Sequence, residues 1–267
     1  MKKKHLLNIM LSESTRYTGY DKNPKHWNKH SNGKGLVHID AKVEPSVLVS
    51  PFSVVYGHSV VKGNVCLYDR TVIRGNACVK GEVILHDTAR VEENAIVYGH
   101  ADISNEAIIQ GNSIIHGNSR ILGNSTVTNK SKVYGLAYVY NSDINGCSEI
   151  HGDASVTNSF VDNSFVSGQT TVHDSCIYKC RVYNNAYLDG VNAKNGKFNK
   201  CAICILGSGY GMCIDKNGYI HFDAVKRGTV SWWKTKGLLY LKNKIGYTKK
   251  RVNEYRMYID VLSRILG

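Results

Sequence analysis

Aliphatic residues recur at every sixth position across much of this chain. From Val37 to Val139 the series has no exception, and each member is Val, Leu or Ile. The residue two positions before each member is small or β-branched. Because residues two apart share a face of a strand, both are expected to point inward. This period indicates short strands stacked coil upon coil in a parallel β-helix.

Glycine and asparagine mark the intervals between the predicted strands. Gly follows many aliphatic members by two positions, as at Gly57 and Gly75, and Asn or His often follows by three, as at Asn76 and His58. Both Gly and Asn tolerate positive φ, which a tight corner needs. The pattern therefore predicts coils with six residues to each side and a corner after every strand.

The spacing changes after Val139, but the inward pair of residues persists. The aliphatic series continues to Leu188 at intervals of five and six, and a small residue still lies two positions earlier, as at Ser142 and Ser159. The lost residue then falls in a corner. We predict one continuous helix with some tightened corners, and a different β domain over 144–188 is the alternative.

The hexapeptide period with its small inward residues resembles the left-handed β-helix family. That family includes hexapeptide-repeat acyltransferases and γ-class carbonic anhydrases. The resemblance covers residues 37–188. It implies an all-β fold, a left-handed parallel β-helix of about nine three-sided coils, and a homotrimer. The handedness comes from the resemblance, because the period alone does not fix it.

Three regions are predicted along the chain. Residues 1–35 form an N-terminal arm or cap, 36–190 form the hexapeptide-repeat β-helix, and 191–267 form an α+β C-terminal unit. The C-terminal unit resembles small tails attached to hexapeptide-repeat proteins in phages and prophages.

Within the C-terminal unit, the pattern predicts a small sheet followed by two helices. Strands are expected over 201–206, 210–215 and 219–222, and helices over 230–242 and 248–266. The second helix has one apolar stripe, which is expected to pack on the sheet. The stripe consists of Val252, Tyr255, Ile259, Leu262 and Ile265.

The chain is basic, with a formal net charge of +13 and a pI near 9.3. This balance favours anionic partners. No motif that reads bases is evident, so sequence-specific DNA binding is not expected. No apolar run has the length of a membrane span, and the N-terminal apolar stretch contains Asn8 and lacks a cleavage site for a signal peptide. The predicted location is cytoplasmic.

Histidine spacing argues against the metal site of γ-class carbonic anhydrases. The arrangement implied by that resemblance includes a pair of histidines five apart, and no two of the 11 histidines have this spacing. Cys201, Cys204 and Cys213 with His221 are an alternative zinc site, although the intervening residues favour a strand. We therefore expect no metal.

Acyl transfer needs one well-placed histidine as general base. His86, His116 and His151 each directly follow an inward aliphatic residue and are expected to face outward. The resemblance implies acetyl-coenzyme A as the cofactor of such an enzyme. Acyltransferases of the family that the chain resembles usually build their active site from an inserted loop, and the repeat from 37 to 139 has no such loop. The simpler interpretation is three solvated histidines and no cofactor.

One side of the predicted helix carries an apolar stripe beside a row of polar and aromatic residues. With three sides of six residues, positions 18 apart stack. An exposed apolar stripe predicts a subunit interface or a covering segment. The row predicts a groove for an anion or nucleotide, because lysines and aromatic rings both favour such ligands. The stripe is Val60, Cys78, Ile96 and Ile114, and the row is Lys62, Lys80, Tyr98, His116 and Tyr134.

Together these features favour a non-catalytic trimeric β-helix scaffold that binds a nucleotide-like anionic ligand or a macromolecular partner. An acetyl-coenzyme A-dependent hexapeptide-repeat acyltransferase is the alternative. A rigid structural spacer in a phage or surface assembly is the third, because one scaffold can support many functions.

Overall fold

A computed structural model of the protein describes residues 21, 23–198, 203–206, 211–215, 217–222 and 226–265. The chain divides into two compact units, Met1–Gly135 and Leu136–Gly267. Stacked parallel coils make up most of both units, about nine coils in all. The predicted parallel β-helix is therefore confirmed, and its left-handedness stays a prediction.

Each coil of the first unit has three sides, which we call A, B and C in chain order. Successive strands on one side pair in parallel at intervals of 18 residues, as Ile96 does with Ile114. Side A contains Leu36–His38, Val54–Val55, Val72–Ile73, Arg90–Val91, Ile108–Ile109 and Thr126–Val127. Side B contains Lys42–Val43, Val60–Gly63, Cys78–Gly81, Ile96–Gly99, Ile114–Ile115 and Lys132–Val133. Side C contains Leu48–Val49, Cys66–Leu67, Ile84–Leu85, Asp102–Ile103 and Arg120–Leu122.

The six-spaced aliphatic residues form the core of these coils. Every member of the series from Val49 to Val139 is 0% exposed, as are most of the small residues two positions earlier. Only Val37 and Val43, at the start of the series, retain some exposure. Each buried aliphatic side chain stabilises the fold by roughly 1.5–3 kcal/mol.

From the corner after Val55 onward, positive φ occurs at the second residue after the aliphatic position, whether or not that residue is glycine. Glycines such as Gly99 have it (φ 85°), and so do Asp87 (φ 60°) and Glu93 (φ 58°). The expectation that asparagine at the third position also serves this purpose is wrong for the described corners. Asn76 and Asn94 instead stack between coils, with Nδ2 of Asn76 donating to Oδ1 of Asn94 at 3.0 Å.

The coils of the second unit are shorter than those of the first. Parallel pairing now joins residues 17 or 16 apart, as Val139 with Val156 and Val156 with Val172. Side C of this unit contains Tyr138–Tyr140, Ser155–Thr157, Thr171–His173 and Tyr187–Asp189. Side A contains Asp143–Asn145, Phe160–Asp162, Cys176–Tyr178 and Asn192–Lys194, and side B contains Glu149–His151, Phe165–Ser167, Arg181–Val182 and Lys197–Phe198. The coils thus extend past residue 190.

Serine hydroxyls replace the turn hydrogen bond in the shortened corners. In a six-residue side, the N–H of the small inward residue donates to the carbonyl three residues earlier, as from Ala95 to Glu92 at 3.2 Å. In a five-residue side, that N–H reaches the inward serine one coil earlier. Ser159 N donates to Ser142 Oγ at 3.0 Å, and Ser175 N donates to Ser159 Oγ at 3.1 Å.

The inward serines linked in this way from coil to coil form a column, and a second such column runs along the other shortened corner. Ser164 N donates to Ser148 Oγ at 3.1 Å, and Cys180 N donates to Ser164 Oγ at 3.0 Å. The column closes where Gly196 N reaches the Cys180 sulfur at 3.3 Å. Because a buried N–H without a partner is costly, these columns make the five-residue side possible. The lost residue does fall in the corner, as predicted.

The C-terminal part of the second unit is a small antiparallel sheet covered by helices. The sheet order follows the chain, and its core joins Met212, Ile220 and Phe222 to Trp233 and Tyr255. The strands are Ile203–Leu206, Gly211–Ile214, Tyr219–Phe222 and Lys226–Thr229. A helical turn at Val230–Trp232 continues through a π-helical segment at Trp233–Gly237 into a helix at Leu238–Asn243, and a last helix spans Lys249–Ile265. The fourth strand was not predicted.

An antiparallel strand precedes the first coil. A 3-10 turn at Pro24–His26 leads into Trp27–Lys29, which pairs antiparallel with Leu36–His38. Trp27 is buried against Leu36, Val54 and Tyr56. This turn and strand, which we call the cap, extend the sheet of side A at its first coil, and residues 1–20 lie outside the described residues.

Candidate anion-binding face

The row predicted on side B forms a stacked ladder in the first unit. The Tyr98 and His116 rings are 4.8 Å apart between centroids and 7° from parallel, and His116 and Tyr134 are 4.7 Å apart and 6° from parallel. These distances match the spacing of about 4.8 Å between neighbouring strands. Identical positions on successive coils therefore place the rings face to face.

Two lysines continue the ladder toward the N-terminal coils. Lys62 pairs in register with Lys80, and Lys80 with Tyr98. The ammonium of Lys80 lies 5.4 Å from the centroid of the Tyr98 ring, within the range of a cation–π contact. Both lysines are exposed, whereas Tyr98, His116 and Tyr134 are half-buried.

The ring faces of this ladder are already in use. Tyr98 and Tyr134 cover the two faces of His116, and Lys80 lies over the remaining face of Tyr98. A nucleobase therefore cannot stack on His116. What remains outside is the ring edges and the lysine ammonium groups, which are hydrogen-bond donors suited to phosphate or carboxylate oxygens.

The environment of His116 perturbs its titration. Desolvation lowers the pKa of its imidazole below the ordinary 6.5, and repulsion from Lys132 acts in the same direction. The imidazole is consequently neutral near pH 7 and has one N–H donor to offer.

The apolar stripe lies directly beside the ladder. Val60 and Cys78 pair in register, as do Cys78 with Ile96 and Ile96 with Ile114. All four side chains are half-buried in the single chain. Each stripe residue directly precedes an inward residue of side B, and each ladder residue directly follows one. The stripe and the ladder therefore lie on the same outer face.

The three candidate histidines occupy different surroundings. His86 is at the edge of side C, where its Nε2 is 3.2 Å from Asp102 Oδ1 and its Nδ1 is 3.1 Å from Asp87 Oδ2. His151 is on side B of the second unit, in an edge-on contact with Phe165. Desolvation lowers the pKa of His151, and Glu149 opposes that shift.

The alternative zinc site is not assembled from the residues that the structure describes. Cys213 is paired in register with both Cys204 and His221, but Cys201 lies outside the described residues. His221 is occupied by another partner, since its Nε2 is 3.1 Å from Oδ2 of the fully buried Asp215.

Asp215 is the centre of a buried polar network that the sequence pattern did not reveal. Its Oδ2 also accepts from Arg227 at 3.2 Å, and its Oδ1 accepts from the N–H groups of Asn217 and Tyr219. Burial favours the protonated acid, but these bonds and that of His221 outweigh it, so the pKa of Asp215 is lowered. In the sequence, the turn-forming residues Asp215 and Gly218 were the available signal for this network.

No protein-family model matches the chain, and no curated protein is significantly similar to it. Among the helices that the structure describes, none combines the length and the apolar character that a membrane span requires.

Proposed function

We propose that this protein is a non-catalytic β-helix scaffold that binds an anionic ligand on side B of its first unit. The observation that carries the proposal is an unbroken row of side chains with hydrogen-bond donors, one on each of five successive coils. The row is Lys62, Lys80, Tyr98, His116 and Tyr134. The cytoplasmic location stays a prediction.

The row is better suited to binding the anionic part of a ligand than to stacking on a flat ring of that ligand. Because the ring faces contact one another, a nucleotide would be held through its phosphates by Lys62 and Lys80. Phosphate oxygens accept charge-assisted hydrogen bonds from ammonium groups and neutral ones from tyrosine hydroxyls.

We further propose a homotrimer in which the stripe of Val60, Cys78, Ile96 and Ile114 is covered by a neighbouring chain. A row of half-exposed aliphatic side chains on one face is typical of an interface. The ligand-binding row would then border the seam between subunits.

Calorimetry with ATP and inorganic phosphate at low salt tests the ligand proposal. Lys62→Ala and Lys80→Ala should each weaken ATP binding about fivefold, because an exposed charge pair contributes ~1 kcal/mol or less. Affinity should fall as salt shortens the Debye length to about 8 Å. The matched control is Arg70→Ala, which removes an exposed charge at a corner away from side B.

Three results would contradict the proposal. One is the absence of binding, which would favour the rigid spacer. Another is equal loss in Arg70→Ala, which would indicate unspecific attraction. The third is binding of heparin alone with a steep salt slope, which would move the site to the exposed basic side chains of the C-terminal helices. Those are Lys234, Lys236, Lys242, Lys244, Lys249, Lys250, Arg251 and Arg256.

The second candidate is an acetyl-coenzyme A-dependent acyltransferase with His116 as general base. The lowered pKa of His116 favours it, since a base must be neutral to accept a proton. Transfer of the acetyl group to an amine, abolished by His116→Ala and kept by His86→Ala and His151→Ala, would establish this activity in place of the scaffold.

A further inference from the structure

Three metal-ligating side chains converge in the N-terminal cap, away from the anion-binding row. A carboxylate oxygen of Asp21 and one ring nitrogen each of His26 and His38 lie within 4.8 Å of one another. Antiparallel pairing places Trp27 opposite His38, and His26 precedes that strand directly. The hairpin therefore brings together residues that are separate in sequence.

The carboxylate of Asp21 is held so that one oxygen faces both imidazoles. Its Oδ1 accepts from the N–H of Asn23 at 2.8 Å, and its backbone carbonyl accepts from the Trp27 indole at 2.8 Å. Its Oδ2 contacts His26 Nδ1 and lies 3.3 Å from His38 Nε2. The site is thus fixed by main-chain and indole contacts independent of the histidines.

The separation between His38 and Asp21 is that of two zinc ligands. Zinc binds imidazole nitrogen and carboxylate oxygen at about 2.0–2.2 Å in a tetrahedron, which puts neighbouring ligand atoms roughly 3.3 Å apart. The same distance also allows a hydrogen bond between these two atoms, so an ion would replace that bond, and the closer pair of Asp21 and His26 would have to separate.

His38 also has the outer partner that a metal-binding imidazole usually requires. It is 3% exposed and packs edge-on against Trp27 at 5.0 Å. Its Nδ1 accepts from the N–H of Asp40 at 3.2 Å and lies 3.3 Å from Oδ2 of the same residue. A carboxylate behind the histidine orients the ring and increases its basicity toward the ion. An ion bound at Nε2 of His38 would place the ring proton on Nδ1, where the Asp40 carboxylate is close enough to accept it.

We infer that Asp21, His26 and His38 bind one divalent transition-metal ion, zinc in preference to magnesium or calcium. Two imidazole ligands exclude the hard cations, which select oxygen. The ion would fasten the cap strand Trp27–Lys29 to the first coil, and its fourth position would take water or another group.

The test is calorimetric titration of the full chain, freed of metal by chelation, with Zn²⁺, and the visible spectrum of its Co²⁺ form. One ion per chain and a tetrahedral Co²⁺ spectrum are expected. His26→Ala should weaken Zn²⁺ binding at least about a hundredfold, because even outer partners contribute 10- to 100-fold. The half-exposed His26 is chosen since the buried His38 could be needed for folding.

Asp40→Asn is a second test variant, and it leaves all three proposed ligands in place. It should weaken Zn²⁺ binding about tenfold with an unchanged far-ultraviolet spectrum. His58→Ala, an exposed corner histidine, is the control and should bind as the parent does.

Two results would overturn the inference. Absence of stoichiometric Zn²⁺ binding would leave Asp21, His26 and His38 as a hydrogen-bonded clasp. Binding that survives His26→Ala but is lost in Cys213→Ser would place zinc in the C-terminal sheet.

Discussion

At the scale of single residues, small changes in side-chain chemistry decide the shape of a coil. A serine at the inward position of a five-residue side accepts the N–H of the next coil and donates to a carbonyl, as Ser159 does to Thr157 at 2.7 Å. Alanine at the same position serves equally well in a six-residue side, where Ala95 closes its own turn. Size alone therefore does not explain these positions.

Ser159→Ala should lower the free energy of unfolding by about 1–3 kcal/mol, because it leaves the buried N–H of Ser175 without its acceptor. Ser159→Cys should retain most of the stability, since Cys180 fills the same place in the other column. Ser113→Ala is the control in a six-residue side, where the hydroxyl donates to Gln110 O, and should cost less. Urea unfolding measures all three. Equal losses at positions 159 and 113 would contradict the role of the column.

His116 should make stability depend on pH. Its folded pKa is lowered, so below about pH 6.5 the unfolded chain binds more protons and stability falls as pH decreases toward the folded pKa. His116→Phe keeps a ring between the two tyrosines and removes this dependence. We expect the stability of the parent relative to His116→Phe to decrease between pH 7 and pH 5 in urea titrations. A relative increase would mean that the pKa is raised.

At the scale of elements, the corner is the unit that repeats. Asp87 and Asn105 occupy the same corner on successive coils, both with positive φ, and Asp87 Oδ2 accepts from Asn105 N at 3.0 Å. Asn105 Oδ1 in turn accepts from Gly123 N at 3.0 Å. A short polar side chain thus offsets the strain of positive φ by bonding to the next coil. The corner after side B uses glycine instead.

Gly99 tests this corner rule. Its φ is 85°, and a Cβ there would meet the backbone N and O of Gly117 at 2.9 Å. Gly99→Ala should lower the free energy of unfolding by roughly 1–2 kcal/mol, the cost of a left-handed L-residue. Gly99→Asn should cost less, because its side chain can accept from Gly117 N as Asn105 does from Gly123. Calorimetric melting that ranks Asn below Ala would refute the rule.

At the scale of the whole molecule, the question is which outer surface meets another chain. The outward aliphatic residues are not confined to side B, since Ile84 on side C is 42% exposed. Side C has Leu48, Cys66 and Ile84 in register on three neighbouring coils. The stripe of side B is longer, with four neighbouring coils contributing Val60, Cys78, Ile96 and Ile114. The longer stripe offers more apolar area for association, and contiguous apolar area is what marks an interface.

Ile96→Glu combined with Ile114→Glu should convert the proposed trimer into monomers, because two buried carboxylates per chain would face apolar surface without a partner. Ile84→Glu, at the same strand position on side C, should leave the assembly unchanged. Light scattering and native mass spectrometry report the mass. An unchanged mass in the double variant, or a parent protein that is already monomeric, would show that the stripe is not a subunit interface.

The sequence by itself determined the coils of this protein. The inward residue, the small residue before it and the corner after it are all within six positions, and stacking repeats that local pattern so that contacts between coils follow from it. Ile103 and Val156 could thus be assigned to the core from spacing alone, and the row from Lys62 to Tyr134 could be assigned to one side. The last helix, Lys249–Ile265, was likewise predicted from one apolar stripe.

Only the tertiary structure decided the features that no period encodes. It turned the rings of Tyr98 and His116 face to face, so that they offer edges to a ligand, and it showed that the hydroxyl of Ser159 spans two coils. It also brought Asp21 to His38, and Arg227 to Asp215. These pairs meet through chain reversals outside the repeat, where spacing along the chain carries no information about distance in space.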